Sequence, residues 1–177
     1  MNRLLPTTSV FALFLSGCAP LSVSDYLTVA FPAPAEIDIV CKDGGCETLD
    51  TLSLTMTWET DPVFLEGSTL TLYEYRIDYS IPGIDGEIPY FAGISEQTLE
   101  LGESLSFSIM PIGNQQRELL TSQIPADEVY SGMGILTFAG WDMNNEVIVF
   151  PEDGAVFSIG AGNFSALSGT PSTTTGI

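Results

Sequence analysis

The side chains able to do chemistry in this chain are carboxylates, a few adjacent aromatics and three thiols. The 177 residues include 23 Asp and Glu and 3 Cys, but no His. Without imidazole, Ser-His-Asp and Cys-His catalysis are closed, and the commonest metal ligand is missing. A glycosidase needs only two carboxylates, but here they scatter over turn-like segments, and abundance is not geometry. No Gly-rich phosphate loop follows a strand pattern. The residue set points away from an enzyme.

Two acidic segments have the composition of a hard-cation site. Asp142, Asn144 and Glu146 alternate through one turn, and Asp85 and Glu87 through another. Calcium takes clustered oxygens of this kind. The EF-hand pattern is not met, since no Gly and distal Glu follow at its spacing. Asp and Asn also suit a turn in their own right, by bonding to their own backbone. No cofactor is implied, and calcium is the one cation these groups would suit. The aromatic candidates are Tyr90, Phe91 and Trp141. Neighbouring strand residues point to opposite faces, so at least one of Tyr90 and Phe91 is a candidate for exposure. An outward ring would suit a glycan or peptide. The competing role is to plug the ends of a core.

The N-terminus carries the most specific signal. Arg3 precedes an apolar run, Val10-Phe11-Ala12-Leu13-Phe14-Leu15, followed by Ser16-Gly17-Cys18. The run is much shorter than the ~20 residues a spanning helix needs, and its order is that of an export signal. Leu15-Ser16-Gly17-Cys18 resembles a bacterial lipobox. The resemblance implies removal of residues 1–17 and a mature chain that begins at an acylated Cys18. That residue would carry a diacylglyceryl thioether and an N-acyl chain, such as palmitate. Several chains anchor more firmly than one, because each buried CH₂ adds about 0.8 kcal/mol. Ala19-Pro20 follows, with no Asp at the second position, which in Gram-negative lipoproteins implies the outer membrane. The expected location is the cell envelope, periplasmic or surface-facing, with membrane lipid as the first partner.

With Cys18 assigned to lipid, Cys41 and Cys46 remain, separated by Lys42-Asp43-Gly44-Gly45. In an exported chain such a pair usually bonds. A redox role fits poorly: the gap is longer than two residues, and Lys42 is the one nearby cation. Two thiols without histidine do not make a structural zinc site.

Charge narrows the partners. Only 4 Lys and Arg stand against the 23 acidic residues, for a net charge of −19. Nucleic acid is excluded, because phosphate contacts need Lys or Arg. Direct electrostatic docking on anionic lipid is disfavoured for the same reason. Such a charge invites cations and basic partners, and its plainest use is solubility; an envelope protein or a glycan remains open as partner. With 45% apolar and 10% aromatic residues, the chain can bury a core.

The elements that must position these groups are short strands. Tyr26 to Phe31 has strand propensity after a tether, and Pro32 and Pro34 stop it. Glu36 to Val40 alternates into the cysteine loop. From Thr51 to Trp58, Leu52, Leu54, Met56 and Trp58 face one way and hydroxyl residues the other. Asp61-Pro62 and Glu66-Gly67-Ser68 mark turns. In the next strand, Thr69 to Ser80, Tyr73, Tyr75, Ile77 and Tyr79 alternate with Leu72, Glu74, Arg76 and Asp78. Pro82 to Glu87 is a loop. Leu99 to Met110 is a hairpin turning at Gly102-Glu103, with Leu105, Phe107 and Ile109 on one face. Asn114 to Leu120 suits one short helix. Gly134 to Asp142 and Glu146 to Phe150 form a second hairpin, and Pro151 to Gly154 breaks it before Ala155 to Ile159. Residues 165–177 are low-complexity and expected to be disordered.

Seven to nine short strands at regular spacing indicate an all-β sandwich. Leu54-Thr55-Met56-Thr57-Trp58 and Tyr75-Arg76-Ile77-Asp78-Tyr79 resemble the second and third strands of a fibronectin type III domain. Phe138 to Glu146 resembles the last hairpin of bacterial Ig-like domains, where an Asp and an Asn close the turn. The resemblance implies an antiparallel Ig-like β-sandwich over residues 35–164, preceded by a tether and a first strand in 18–34. It makes Trp58, Tyr75, Ile77 and Tyr79 structural. It is silent on activity. Residues 81–130 are longer than the family's connections and could hold a specific site. The function expected is a lipid-anchored binding or structural protein of the envelope, without catalysis; a carbohydrate- or calcium-binding module is the alternative.

Overall fold

A computed structural model describes residues 23–32, 35–42, 45–48, 51–60, 67–125 and 127–163. The signal segment, Cys18, the start of the tether, the Asp61-Pro62 turn and the C-terminal tail lie outside the described residues.

The fold is all-β, with nine strands in two sheets and one helix among the described residues. A 3-10 turn, Val23–Tyr26, leads into β1 (Leu27–Ala30). β2 is Glu36–Lys42, β3 Gly45–Glu47, β4 Leu52–Trp58 and β5 Thr69–Ser80. β6 (Phe91–Glu100) and β7 (Ser104–Ile109) precede the helix α1 (Asn114–Gln123). β8 (Val129–Asp142) and β9 (Val147–Gly162) complete the chain. Three strands form one sheet in the order β1-β4-β7. The other six run β3-β2-β9-β8-β5-β6 and curl into a half-barrel.

The sheets meet through large side chains. Phe107 of β7 lies edge-on to Phe138 of β8 at 5.9 Å, and Phe138 stacks on Phe150 of β9 at 5.9 Å. Trp58, Met56, Leu54, Leu70, Leu72 and Ile77 are fully buried around them. The alternation along β4 holds residue by residue: Leu52, Leu54, Met56 and Trp58 are in the core.

Four expectations are corrected. The pairing is not wholly antiparallel. β2 runs parallel to β9, from Glu36 beside Ser158 to Val40 beside Gly162. The chain changes sheets after β1: Phe31 packs edge-on against Phe157 at 5.9 Å, and the Ser158 N–H donates to the Ala35 carbonyl. β5 does not keep one phase. Its register shifts between Leu72 and Glu74 against both β6 and β8. Leu70 and Leu72 face inward before that point, Tyr75 and Ile77 after it. A β-bulge at Tyr73 explains the switch, because one extra residue reverses every later side chain. Pro151 to Gly154 do not end a strand. They form an excursion within β9, whose register to β8 resumes at Ala155 opposite Leu136. Finally, the first arm of the Leu99 to Met110 hairpin is longer than that span: β6 already begins at Phe91.

The 81–130 region is built around α1. Gln116 is buried. Its Oε1 accepts the Gly113 N–H, and its Nε2 donates to the carbonyls of Pro89 and Tyr90, both at 2.9 Å. Gln123, at the other end of the helix, accepts the Asp85 N–H at 2.6 Å and donates to the Asp85 carbonyl at 2.8 Å. The long loop is therefore pinned at both ends of one helix. Tyr75 and Tyr79 hold the segment before it, donating to the carbonyls of Met110 and Pro111. Burial raises both phenols above their ordinary pKa.

Candidate functional site

The Asp142 turn is closed upon itself. One carboxylate oxygen of Asp142 accepts the N–H groups of Asn144 and Glu146, both at 2.8 Å. The other accepts the Asn144 side-chain amide at 3.1 Å. Asn145 takes the left-handed conformation the turn requires (φ 61°), which Asn tolerates better than most residues. These contacts orient the carboxylate toward its own backbone. Asp85 is engaged through its backbone by Gln123, and Glu87 is exposed on the same loop. The two acidic segments are not brought together into one cluster. Among the described residues, no group of three or more Cys, Asp or Glu could hold a metal ion.

The aromatic candidates part company. Phe91 turns inward, edge-on to Tyr75 at 6.0 Å. Tyr90 is exposed, and its ring carries the Arg76 guanidinium at 4.1 Å. Arg76 in turn forks onto the Asp78 carboxylate, which raises its pKa further. Trp141 faces solvent and stacks on Tyr73 at 4.4 Å. The bulge that reverses β5 leaves Tyr73 on that outer face.

Sequence reasoning missed the surface around Trp141. Along the β8–β9 hairpin, outward residues pair as Trp141 with Val147, Ala139 with Val149, and Ile135 with Val156. Trp141 is 44% exposed, Val147 59% and Val149 58%. Met143 at the tip, Val156 and Met133 are also exposed. The signal was present: Val147, Val149 and Trp141 sit at alternate positions from Ile148, Phe150 and Gly140, which face the core or pack against it. A strand apolar on both faces reads as fully buried, yet among the described residues Val147, Val149 and Trp141 stay exposed on its outer side.

The outer face of the three-stranded sheet is chemically opposite. Ser53 bonds Ser108, Thr55 bonds Ser106 and Thr57 bonds Ser104, with oxygens 2.8–3.0 Å apart. A groove of about 480 Å³ lies over two of these pairs, walled by Ala30, Phe31 and Pro32. Among the described residues, no charged side chain lines it.

Cys41 and Cys46 face each other across β2 and β3 and are joined by a disulfide. Both are buried, and the Cys46 N–H donates to Thr121 of α1 at 2.8 Å. The bridge thus ties the edge hairpin where it meets the helix. No helix among the described residues is long and apolar enough to cross a membrane. No family model matches the chain, and neither a curated protein nor a solved structure does.

Proposed function

We propose that this chain is a lipid-anchored, extracytoplasmic binding or structural protein of a bacterial envelope, acting without catalysis. Residues 1–17 are its export signal, Cys18 its acylated first residue, and the β domain its working part. The observation that carries this reading is the disulfide in a chain that holds Leu15-Ser16-Gly17-Cys18 behind an apolar run. Disulfides persist where conditions oxidise, and a lipobox sends a chain there. The domain is an Ig-like, fibronectin type III-like sandwich distorted by the parallel β2–β9 pair and the curl of its larger sheet. The Phe107–Phe138 contact between the sheets supports that architecture.

The test compares the native protein with Cys18→Ala by intact mass and membrane fractionation. A native chain that starts at a triacylated Cys18, with the variant lost from the mature membrane-bound pool, sustains the proposal. A native chain that is soluble and unmodified ends it.

The second reading is a neutral-glycan module, and the groove over the hydroxyl pairs favours it. Hydroxyl donors and acceptors beside apolar walls, with no charge, suit a polyhydroxylated neutral ligand. Titration with neutral oligosaccharides should perturb Thr55 and Ser106 in NMR spectra; shifts confined to Trp141 or Tyr90 would move the site elsewhere.

A further inference from the structure

We infer that the Trp141–Met143–Val147 end of the β8–β9 hairpin seats on the zwitterionic surface of the membrane that Cys18 enters. This inference rests on the lipid-anchor reading above. The argument begins with where the tether leaves the domain. The Tyr26 carbonyl accepts the Glu59 N–H, and neighbouring Trp58 exchanges backbone bonds with Gly102 and Glu103. The adjoining Leu101 N–H donates to Ser68, whose hydroxyl reaches the Met143 sulfur at 3.5 Å. These links place the tether exit and the Met143 tip at one end of the molecule.

Chain length then limits the distance. Five residue steps separate Cys18 from Val23, a reach of at most about 18 Å. Acyl chains on Cys18 would keep this end close to the headgroups. The side chains it offers are of the type that enters an interface: an indole stacked on a phenol, a thioether and two valines. Trp and Tyr favour headgroup depth, and an exposed apolar patch beside an anchor has a surface within reach to cover it.

Charge selects the lipid. Glu74 lies beside Ala139 on the same outer face, and Asp142 and Glu146 border the tip. Carboxylates there oppose an anionic headgroup layer and tolerate a zwitterionic one. The same rim disfavours a second copy of this chain as the occupant, since equal charges would meet.

The molecule carries its own probe. Of its two tryptophans, Trp58 is 1% exposed and Trp141 faces solvent. The lipidated full chain is reconstituted into phosphatidylcholine vesicles, and its fluorescence is followed with brominated phosphatidylcholine and with aqueous acrylamide. The expected result is a blue shift of Trp141, quenching by brominated lipid and protection from acrylamide. Val147→Asn with Val149→Asn should lose most of the lipid quenching while the melting temperature holds. Added phosphatidylglycerol should weaken the effect. If Cys18 is acylated by mass yet Trp141 stays open to acrylamide and blind to brominated lipid, the seating is wrong and the anchor stands. If Cys18 carries no lipid, the anchor reading fails first, and the unmodified protein with excess phosphatidylcholine decides: a blue shift keeps the seating, none overturns it. Protection of Trp141 that rises with protein concentration in the absence of lipid also overturns it, in favour of self-association.

Discussion

The outer faces of the two sheets meet solvent with opposite chemistry. On β4 and β7 every outward position from Ser53 to Thr57 and from Ser104 to Ser108 is a hydroxyl, bonded across the strands. On β8 and β9 the corresponding face carries Trp141, Val147, Val149 and Val156. Both faces are built on the same strand geometry, with the same kind of apolar residue on the inner side. The first arrangement satisfies its polar groups internally and leaves little to recognise beyond shape and hydrogen bonds. The second leaves apolar area in water, which costs free energy in the isolated domain. A chain that alternates so cleanly on β4 has no structural need for valines on the outside of β9. The contrast underlies both the proposed membrane seating of the hairpin and the proposed glycan groove on the smaller sheet.

The interior should respond far more strongly than either face. Phe138→Ala removes the ring that joins the sheets and should cost about 3–5 kcal/mol in denaturant unfolding, weakening both faces together. If the hydroxyl face alone were lost, the two sheets would not share one cooperative core. Gln116→Ala strips three hydrogen bonds from the α1 pin and should cost about 1–3 kcal/mol, with hydrogen exchange rising in residues 85–91 and little change at Trp141.

Alkaline titration sharpens the link between the sheets and the α1 segment. Tyr79 and Tyr75 have phenols raised above the ordinary value of 10.0 by burial. The folded state thus holds protons that the unfolded chain releases. Their contribution is complete below pH 10 and should fall as pH climbs above it. Melting temperature should decline above pH 10, less steeply in Tyr79→Phe, which itself costs about 1 kcal/mol at neutral pH through the lost bond to Pro111. An equal decline in both proteins would remove Tyr79 from the explanation.

The faces themselves come last. Thr55→Val with Ser106→Ala exchanges one hydroxyl pair for an apolar one, and the expected loss is about 0.2–1 kcal/mol. Val147→Thr with Val149→Thr should change stability by no more than about 0.5 kcal/mol, while reducing binding of an apolar dye. A large loss of stability there would mean the valines pack within the domain, and the contrast between the faces would collapse.

How far the sequence foretold this differs from strand to strand. The β4 phase was legible because its apolar and hydroxyl residues alternate without exception. The turn at Asp142–Asn145 was legible because Asp and Asn carry their turn-forming bonds in their own side chains. The phase of β5 was not. Tyr73 continues the alternation of Tyr75, Ile77 and Tyr79 while Leu70 and Leu72 hold the opposite phase, so local pattern cannot tell which set faces the core before the bulge. The parallel β2–β9 pair was equally hidden, since Glu36 and Ser158 meet through the folded chain and nothing near either names the other. Pro151 to Gly154 look like a stop, yet β9 continues because β8 supplies a partner on both sides of the excursion.

Among the candidates, Tyr90 and Trp141 could be placed outside and Phe91 inside only once register was known. The exposed apolar hairpin was written in the sequence as Val147 and Val149 flanking Ile148, but such a run is the mark of a buried strand. By itself the sequence determined what depends on local chemistry: strand phase where alternation is pure, turn closure by Asp142, the absence of imidazole and the great excess of carboxylate. The tertiary structure alone decided which strands are neighbours, where the bulge reverses a face, and which apolar surface is left uncovered. Those depend on contacts between residues far apart in the chain, whose formation is governed by the packing of the whole core and leaves no trace in either segment alone.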